Sequence, residues 1–168
     1  ADVSRSLPNR LEIDLRERGA VAAVELDGLY LLDIEGTPFK RASTAAEELD
    51  GLCIITGISR EMYLADPDKS RELLRHGLGA LHSFQTNPER PQLGELHLDE
   101  RHGLTLITYQ DAIAIHLGSP EDGELDDRFH AFDSAWQALD DEELAAARVF
   151  RIADHTPSDR VTIAFAGN

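Results

Sequence analysis

The sequence predicts an α+β domain built on a strand-rich, mostly antiparallel or mixed sheet with two main helices packed on it. Short runs with apolar residues at alternate positions recur along the chain, and two longer stretches have helical periodicity. These segments follow one another as strands, helix, strands, helix, strands. At 168 residues the chain is long enough to bury one core without a disulfide or a metal.

The first part of the chain has the pattern of short strands. Its apolar runs alternate with charged residues or lie between residues that favour turns. Asp27 and Gly28 separate two of these runs, which is typical of a hairpin. A helical turn is predicted over residues 42–49, and strands are predicted over residues 11–15, 20–26, 29–34 and 52–56.

Asp66 and Pro67 predict the start of the first main helix. The Asp side chain can cap free backbone N–H groups, and Pro at the first helical position loses no hydrogen bond. The helix is expected to end near Phe84. Gly77 and Gly79 weaken it by roughly 1 kcal/mol each relative to Ala, and we expect them to let a strand approach closely.

The second main helix has the clearest pattern, because five apolar residues recur at spacings of four, three, four and three. They are Leu125, Phe129, Phe132, Trp136 and Leu139. An antiparallel meander is predicted before this helix, over residues 94–99, 104–109 and 112–117. A helical turn at residues 140–147 and strands at residues 149–152 and 161–165 complete the prediction.

Charge excludes several kinds of partner. The chain has 16 Lys and Arg against 32 Asp and Glu, and its net charge of −16 would repel nucleic acid and anionic lipid. No apolar run approaches the roughly 20 residues that span a bilayer. Cys53 lies in an apolar run and is expected to be a buried structural residue.

Carboxylate clusters and seven scattered histidines are the candidates for chemistry. The clusters lie at predicted helix N-termini, where the helix dipole favours negative charge, and no two histidines have the spacing of a metal pair. We therefore expect no catalytic residue, no metal and no cofactor. The alternative is a carboxylate- or metal-dependent periplasmic hydrolase that uses these clusters with His97 or His102. A third possibility is an acidic adaptor that binds through the helix over residues 73–84.

The last predicted strand is the strongest candidate for a binding surface. Beyond Arg160 it lacks the Lys and Pro residues that protect sheet edges. At an edge, its free backbone N–H and C=O groups would accept a partner strand, but the sequence equally allows pairing on both sides. The expected contact residues are Thr156, Ser158, Arg160, Val161, Thr162, Ile163, Ala164 and Phe165.

Several segments resemble the FtsQ/DivIB family of bacterial cell-division proteins. Leu7-Pro8-Asn9-Arg10-Leu11 is similar to the family's Trp-Pro-x-x-Leu segment, with Leu7 in place of Trp. Leu31-Leu32-Asp33-Ile34-Glu35-Gly36, followed by Phe39, resembles its Leu-Leu-Asp-x-x-Gly-x-x-Phe hairpin. Ile115-His116-Leu117-Gly118 is similar to its Val-x-Leu-Gly segment before a helix.

The resemblance implies that residues 1–20 are the end of a POTRA-like domain and residues 21–168 an FtsQ/DivIB-like β domain. It implies a single-pass protein of the cell inner membrane with this domain on the periplasmic side, its transmembrane helix lying outside this sequence. The implied function is that of a non-catalytic divisome scaffold that recruits FtsB/FtsL-like proteins by strand addition at its C-terminal edge. The family's Asp-Leu-Arg-Tyr segment before the last strand is not kept, which leaves Phe165 as the expected aromatic anchor.

Overall fold

The computed structural model describes residues 2–6, 10–14, 19–43, 46–99, 101–119, 124–152 and 160–166. The strands are β1 (Asp2–Ser6), β2 (Arg10–Asp14), β3 (Ala22–Glu25), β4 (Leu29–Leu32), β5 (Pro38–Arg41), β6 (Ile54–Thr56), β7 (Leu93–Asp99), β8 (Gly103–Thr108), β9 (Ala114–Gly118), β10 (Ala147–Ile152) and β11 (Val161–Phe165). The helices are α1 (Ala46–Leu49), α2 (Arg60–Ala65), α3 (Pro67–Gln85), α4 (Leu125–Gln137) and α5 (Asp141–Ala146).

Nine strands form one mixed sheet in the order β11-β10-β9-β8-β7-β6-β3-β4-β5. The pairs β3–β6, β6–β7 and β9–β10 are parallel, and the remaining pairs of this sheet are antiparallel. β1 and β2 pair with each other in a separate two-stranded sheet. The predicted α+β class is confirmed, and β7, β8 and β9 form the predicted antiparallel meander.

The first main helix begins and ends close to the predicted positions. The Asp66 side chain accepts a hydrogen bond from the Lys69 backbone N–H at 3.0 Å, and Pro67 occupies the first turn. The helix runs to Gln85 and buries an apolar face against the sheet. The buried large residues of this face are Leu74, Leu78, Leu81 and Phe84.

One of the two helix glycines lets α3 approach the sheet. A Cβ atom added at Gly77 would lie 3.0 Å from Leu96 Cδ2 and 3.3 Å from Leu98 Cδ2 of β7. Gly79 has no neighbouring atom within 4 Å of the same position. The expected close approach therefore exists at Gly77 and not at Gly79. It also shows that Leu96 and Leu98 point toward α3, so that Glu95, the residue before Leu96, points to the opposite face of the sheet.

The aromatic residues of α4 form the centre of the core, as their spacing predicts. Phe129 and Phe132 are almost fully buried. The Phe84 ring centroid lies 5.5 Å from that of Phe129, and the Phe132 ring lies 5.3 Å from Phe150 of β10, both in edge-to-face geometry. Trp136 lies 5.4 Å from Phe132. Such pairs add roughly 0.5–1.5 kcal/mol each beyond the area that they bury.

Three elements, β1, α2 and β5, were not predicted, and two element ends differ from the prediction. α2 contains no buried residue, so the sequence carries no apolar stripe for it, and β5 is a half-exposed strand at the sheet's end. Leu139 follows α4 instead of belonging to it, and Ala147 begins β10 instead of closing the last helical turn. Ala147 is fully buried, which places it in the core beside β11.

Candidate functional site

The last strand lies at one end of the nine-stranded sheet. It pairs with β10 in an antiparallel register that places Val161 opposite Ile152 and Ile163 opposite Phe150. No other strand in the described part of the chain pairs with β11. The sequence allowed either an edge strand or a strand paired on both sides. In the described structure, β11 is an edge strand.

A buried aromatic layer supports this edge. Phe150 of β10 is fully buried, and its ring centroid lies 5.3 Å from that of Phe132 and 5.7 Å from that of Trp136. Val161 and Ile163 of β11 pack against the same core. The backbone of the edge strand is thus held by packing beneath it, which reduces the ordering cost of adding a partner.

The side chains of β11 alternate between the core and the opposite face of the sheet. Thr162 is exposed, and Phe165, at the end of the strand, is 41% exposed despite its large apolar ring. The structure brings together Arg160, Val161, Thr162, Ile163, Ala164 and Phe165. Thr156 and Ser158, the two remaining predicted contact residues, lie outside the described residues.

The opposite edge of the sheet differs in its chemistry. β5 carries Pro38, which has no backbone N–H to offer, and the basic residues Lys40 and Arg41. Lys40 forms an ion pair with Glu48. Proline and charged side chains are the usual means by which proteins prevent strand addition at an edge. The two ends of the sheet are therefore unequal, because β11 carries no proline and no charged residue within Val161–Phe165.

The acidic residues predicted at helix starts stabilise those helices. Asp140 and Glu143 form a reciprocal capping box at α5: the Asp140 carboxylate accepts the Glu143 N–H at 2.8 Å, and the Glu143 carboxylate accepts the Asp140 N–H at 3.1 Å. Asp126 and Asp127 lie in the first turn of α4, where the helix dipole favours them. These carboxylates have structural roles that require no chemistry.

The two histidines of the alternative hydrolase hypothesis lie in different surroundings. His97 Nδ1 is 2.8 Å from Thr56 Oγ1 on the sheet, whereas His102 is in the exposed turn after β7, with Nδ1 3.2 Å from Asp99 Oδ2. The backbone N–H groups of His102 and Arg101 hold the pKa of Asp99 down at about 2. Among the described residues, no group of three or more His, Cys, Asp or Glu side chains is placed to hold a metal ion.

Cys53 is buried, as its apolar surroundings predict. It is 1% exposed, and burial, with a smaller contribution from the charge of Glu95, raises its pKa to about 12. A thiol with such a pKa stays protonated at neutral pH and is a poor nucleophile.

One feature of the surface was not predicted from the sequence. A groove crosses the face of the sheet that α3 does not cover, and its walls come from five strands, β4, β3, β6, β7 and β8. Alternation within β7 and β8 could have indicated which side chains avoid the core. It could not indicate that β3 lies next to β6, with β4 on the other side of β3.

Comparison with known proteins identifies the family. The chain matches the family model described as Cell division protein FtsQ/DivIB, C-terminal, over residues 20–155. This span includes the strands from β3 to β10 and ends before β11. Within the described residues, no helix has the length and apolar character needed to cross a membrane.

Three curated relatives are each named Cell division protein FtsQ. Cell division protein FtsQ of Anaeromyxobacter sp. (strain K) is 34% identical over 169 residues, which cover 99% of this chain and 55% of that protein. Cell division protein FtsQ of Myxococcus fulvus is 41% identical over 109 residues, 64% of this chain and 37% of that protein. The protein of the same name from Geotalea daltonii is 34% identical over 120 residues, 70% of this chain and 43% of that protein. The chain thus spans about half the length of these relatives or less. With a family match over most of its length and relatives of one name, this chain belongs to the FtsQ/DivIB family of cell-division proteins.

Proposed function

We propose that this chain is a non-catalytic scaffold of the divisome that recruits FtsB/FtsL-like proteins by adding a partner strand along the outer side of β11. The observation that supports the proposal is the position of β11 at the end of the sheet, where no described strand pairs with its outer side. In this proposal residues 1–20 end a POTRA-like domain, and residues 21–168 form the β domain on the periplasmic side of the inner membrane. The anchoring segment lies outside this sequence.

The energy of such an interaction comes mainly from the backbone. In a strand, alternate residues direct their N–H and C=O groups to the outer side, where a partner strand can bind them. Each hydrogen bond made in this way contributes roughly 0.5–1.5 kcal/mol. A partner that pairs along Val161–Phe165 therefore gains a few such bonds, and it orders little of this chain because Val161 and Ile163 are already packed.

Side chains at the edge supply specificity. Phe165 offers an exposed aromatic ring next to the last backbone positions of the edge. Large aromatic residues are over-represented among the residues that dominate binding energy. Arg160 is exposed just before the strand, at the end opposite to Phe165. We therefore expect backbone pairing to give most of the affinity, with Phe165 as the anchor.

A non-catalytic role agrees with what the reactive side chains do. The carboxylates at the starts of α4 and α5 stabilise helix ends, and the Cys53 thiol is buried with a raised pKa. His97 and His102 have partners in the sheet and in a turn.

Proline substitutions test strand addition at β11. Successive N–H groups of a strand point to opposite sides, so of Val161 and Thr162 one donates toward β10 and the other points outward. Proline at the outward position should weaken binding of an FtsB-like periplasmic segment by roughly tenfold or more while changing the free energy of unfolding by less than about 1 kcal/mol. Proline at the inward position should also lower stability.

The controls are Val161→Ala and Thr162→Ala, which keep both N–H groups. Binding is measured by fluorescence anisotropy of the labelled segment, and stability by urea unfolding of the same samples. If both proline variants bind the segment as tightly as their alanine controls, strand addition at β11 is wrong.

A further inference from the structure

The groove on the face of the sheet opposite α3 has the properties of a second binding surface. It has a volume of about 490 Å³ and lies across β4, β3, β6, β7 and β8. The strand register explains which residues meet there. Ile54 of β6 is opposite Glu95 of β7, and Glu95 is opposite Ile107 of β8. On the other side of β6, Glu25 of β3 is opposite Leu29 of β4.

The floor of the groove is apolar. Leu29, Ile54 and Ile107 are half-buried there, although they point away from the core. At one end of the groove the ring of Tyr109 is 70% exposed. Gly94 lies beneath this residue, and an added Cβ there would be 3.2 Å from Tyr109 Cα. Because Gly94 has no side chain, this end of the groove is not filled.

The charges of the groove all have one sign. Glu25 and Glu95 both line it, and none of its described lining residues is Lys, Arg or His. Thr56 donates a hydrogen bond to Glu95 at 2.6 Å, which holds that carboxylate in place without neutralising it. No cation pairs with either carboxylate among the described residues. Two negative charges beside an apolar floor complement a positive charge flanked by apolar groups.

We propose that this groove binds an arginine-containing segment of a partner protein, with apolar residues on both sides of the arginine. The guanidinium would pair with Glu25 and Glu95, and the apolar neighbours would cover Ile54 and Ile107. Tyr109 favours arginine over lysine, because a planar guanidinium stacks on an aromatic face and is less strongly hydrated than an ammonium group. The chain's charge of −16 would steer such a segment toward the domain and keep phosphate-bearing ligands away.

This surface is separate from the edge. Two strands, β9 and β10, lie between β8 and β11. At about 4.8 Å per strand, roughly 14 Å separates β8 from β11, so a partner strand on β11 leaves the groove open. The inference therefore stands or falls independently of strand addition at β11.

The test uses a short synthetic peptide with one arginine flanked by leucines, and the same peptide with glutamate in place of arginine. Binding is followed by amide and methyl chemical shifts of the isotope-labelled domain. We expect the arginine peptide to shift the resonances of Ile54, Ile107 and Tyr109, and the glutamate peptide to leave them unchanged. Shifts confined to β11 or to the helices, or equal binding of both peptides, would overturn the proposal.

Variants identify the contribution of each charge. Glu25→Gln and Glu95→Gln should each weaken binding of the arginine peptide by roughly threefold to tenfold, since each removes one partner of a partly shielded ion pair. Glu72→Gln removes one negative charge from an exposed position of α3, across the sheet, and should have no such effect. The Val161→Pro variant should bind the peptide as the unchanged protein does. If Glu72→Gln weakens binding as much as Glu95→Gln, the peptide is attracted by the net negative charge of the domain, and the groove is not its binding site.

Discussion

Arg90 and Asp133 form a bidentate ion pair that joins the segment after α3 to α4, with Nε 2.7 Å from Oδ1 and Nη2 2.9 Å from Oδ2. The side chains are only 8% and 16% exposed. The remaining guanidinium nitrogen donates to the carbonyl oxygens of Ser83 and Phe84, at 3.0 and 3.1 Å. The guanidinium carbon also lies 4.8 Å from the Phe129 ring centroid. One side chain thus closes the end of α3 against α4.

Removing this guanidinium should strongly destabilise the fold. We expect Arg90→Ala to lower the free energy of unfolding by roughly 3–5 kcal/mol, because it leaves the shielded Asp133 carboxylate without a positive charge beside it and, among the described residues, with only the Asn87 side chain as a donor. The control is Arg71→Ala, whose ion pair with Asp68 is 43% and 90% exposed and should contribute about 0–1 kcal/mol. Urea unfolding measures both. Equal losses in the two variants would contradict the role assigned to Arg90.

Gly57 is required by the close approach of β6 and β7. Its φ angle is +92°, and an added Cβ would lie 1.9 Å from the Leu98 carbonyl oxygen. Gly51 has a similar φ of +72° but no atom within 4 Å of that position. Gly51→Ala should therefore cost only the strain of a positive φ, about 1–2 kcal/mol. Gly57→Ala should cost at least about 2 kcal/mol more, because the backbone must move. Thermal unfolding distinguishes the two, and similar melting temperatures would refute this explanation.

His116 should make stability fall as the pH is lowered. Burial, and then the positive charge of Arg151, lower its pKa, while its Nδ1 lies 2.9 Å from Thr105 Oγ1. The unfolded chain therefore binds a proton at a higher pH than the folded one, so the contribution is complete above about pH 6.5 and is lost as the pH falls through the lowered value. His116→Gln should flatten the dependence of unfolding free energy on pH between about pH 5 and 7.5.

A second variant, Arg151→Gln, removes the positive charge that lowers the pKa of His116. It should raise the pKa of His116, measured by NMR titration of its ring protons. If the pKa of His116 does not rise in Arg151→Gln, the positive charge of Arg151 does not lower it.

Phe165 should matter for the partner more than for the fold. Phe165→Ala is expected to weaken binding of an FtsB-like segment by roughly tenfold, as truncation of an interface anchor commonly does. Its free energy of unfolding should change by less than about 1 kcal/mol, since the ring is 41% exposed. Ile34→Ala truncates another exposed apolar residue, 75% exposed just after β4, and should leave binding unchanged. Equal binding by both variants would mean that Phe165 is not an anchor.

The elements with strong local signals were predictable from the sequence. Asp66 and Pro67 specify the start of α3, and the five-residue apolar stripe specifies α4, because capping and helical periodicity depend on residues close together in the chain. β5 and α2 lack such signals. β5 is short and basic, and α2 buries no side chain, so neither has the periodicity that a packed element requires.

Features that depend on distant pairing were not predictable. The parallel pairs β3–β6 and β9–β10 join segments that are separated by whole helices and strands. A local sequence pattern cannot predict which distant segments pair. The edge position of β11 follows from this topology, which is why its alternation alone left two placements open. The groove depends on it as well, since Glu25 and Tyr109 line one groove only because β3, β6, β7 and β8 lie side by side.

The inequality of the two sheet ends limits the size of any assembly built by edge pairing. A sheet with two open edges can polymerise, because each added molecule presents a new edge to the next. Here a molecule that joined through β11 would present β5, where Pro38 lacks a donor and Lys40 and Arg41 bring positive charge. Growth then stops after one addition. If β11 takes up a partner strand as proposed, we expect one partner strand per molecule and no continuous fibre of paired sheets.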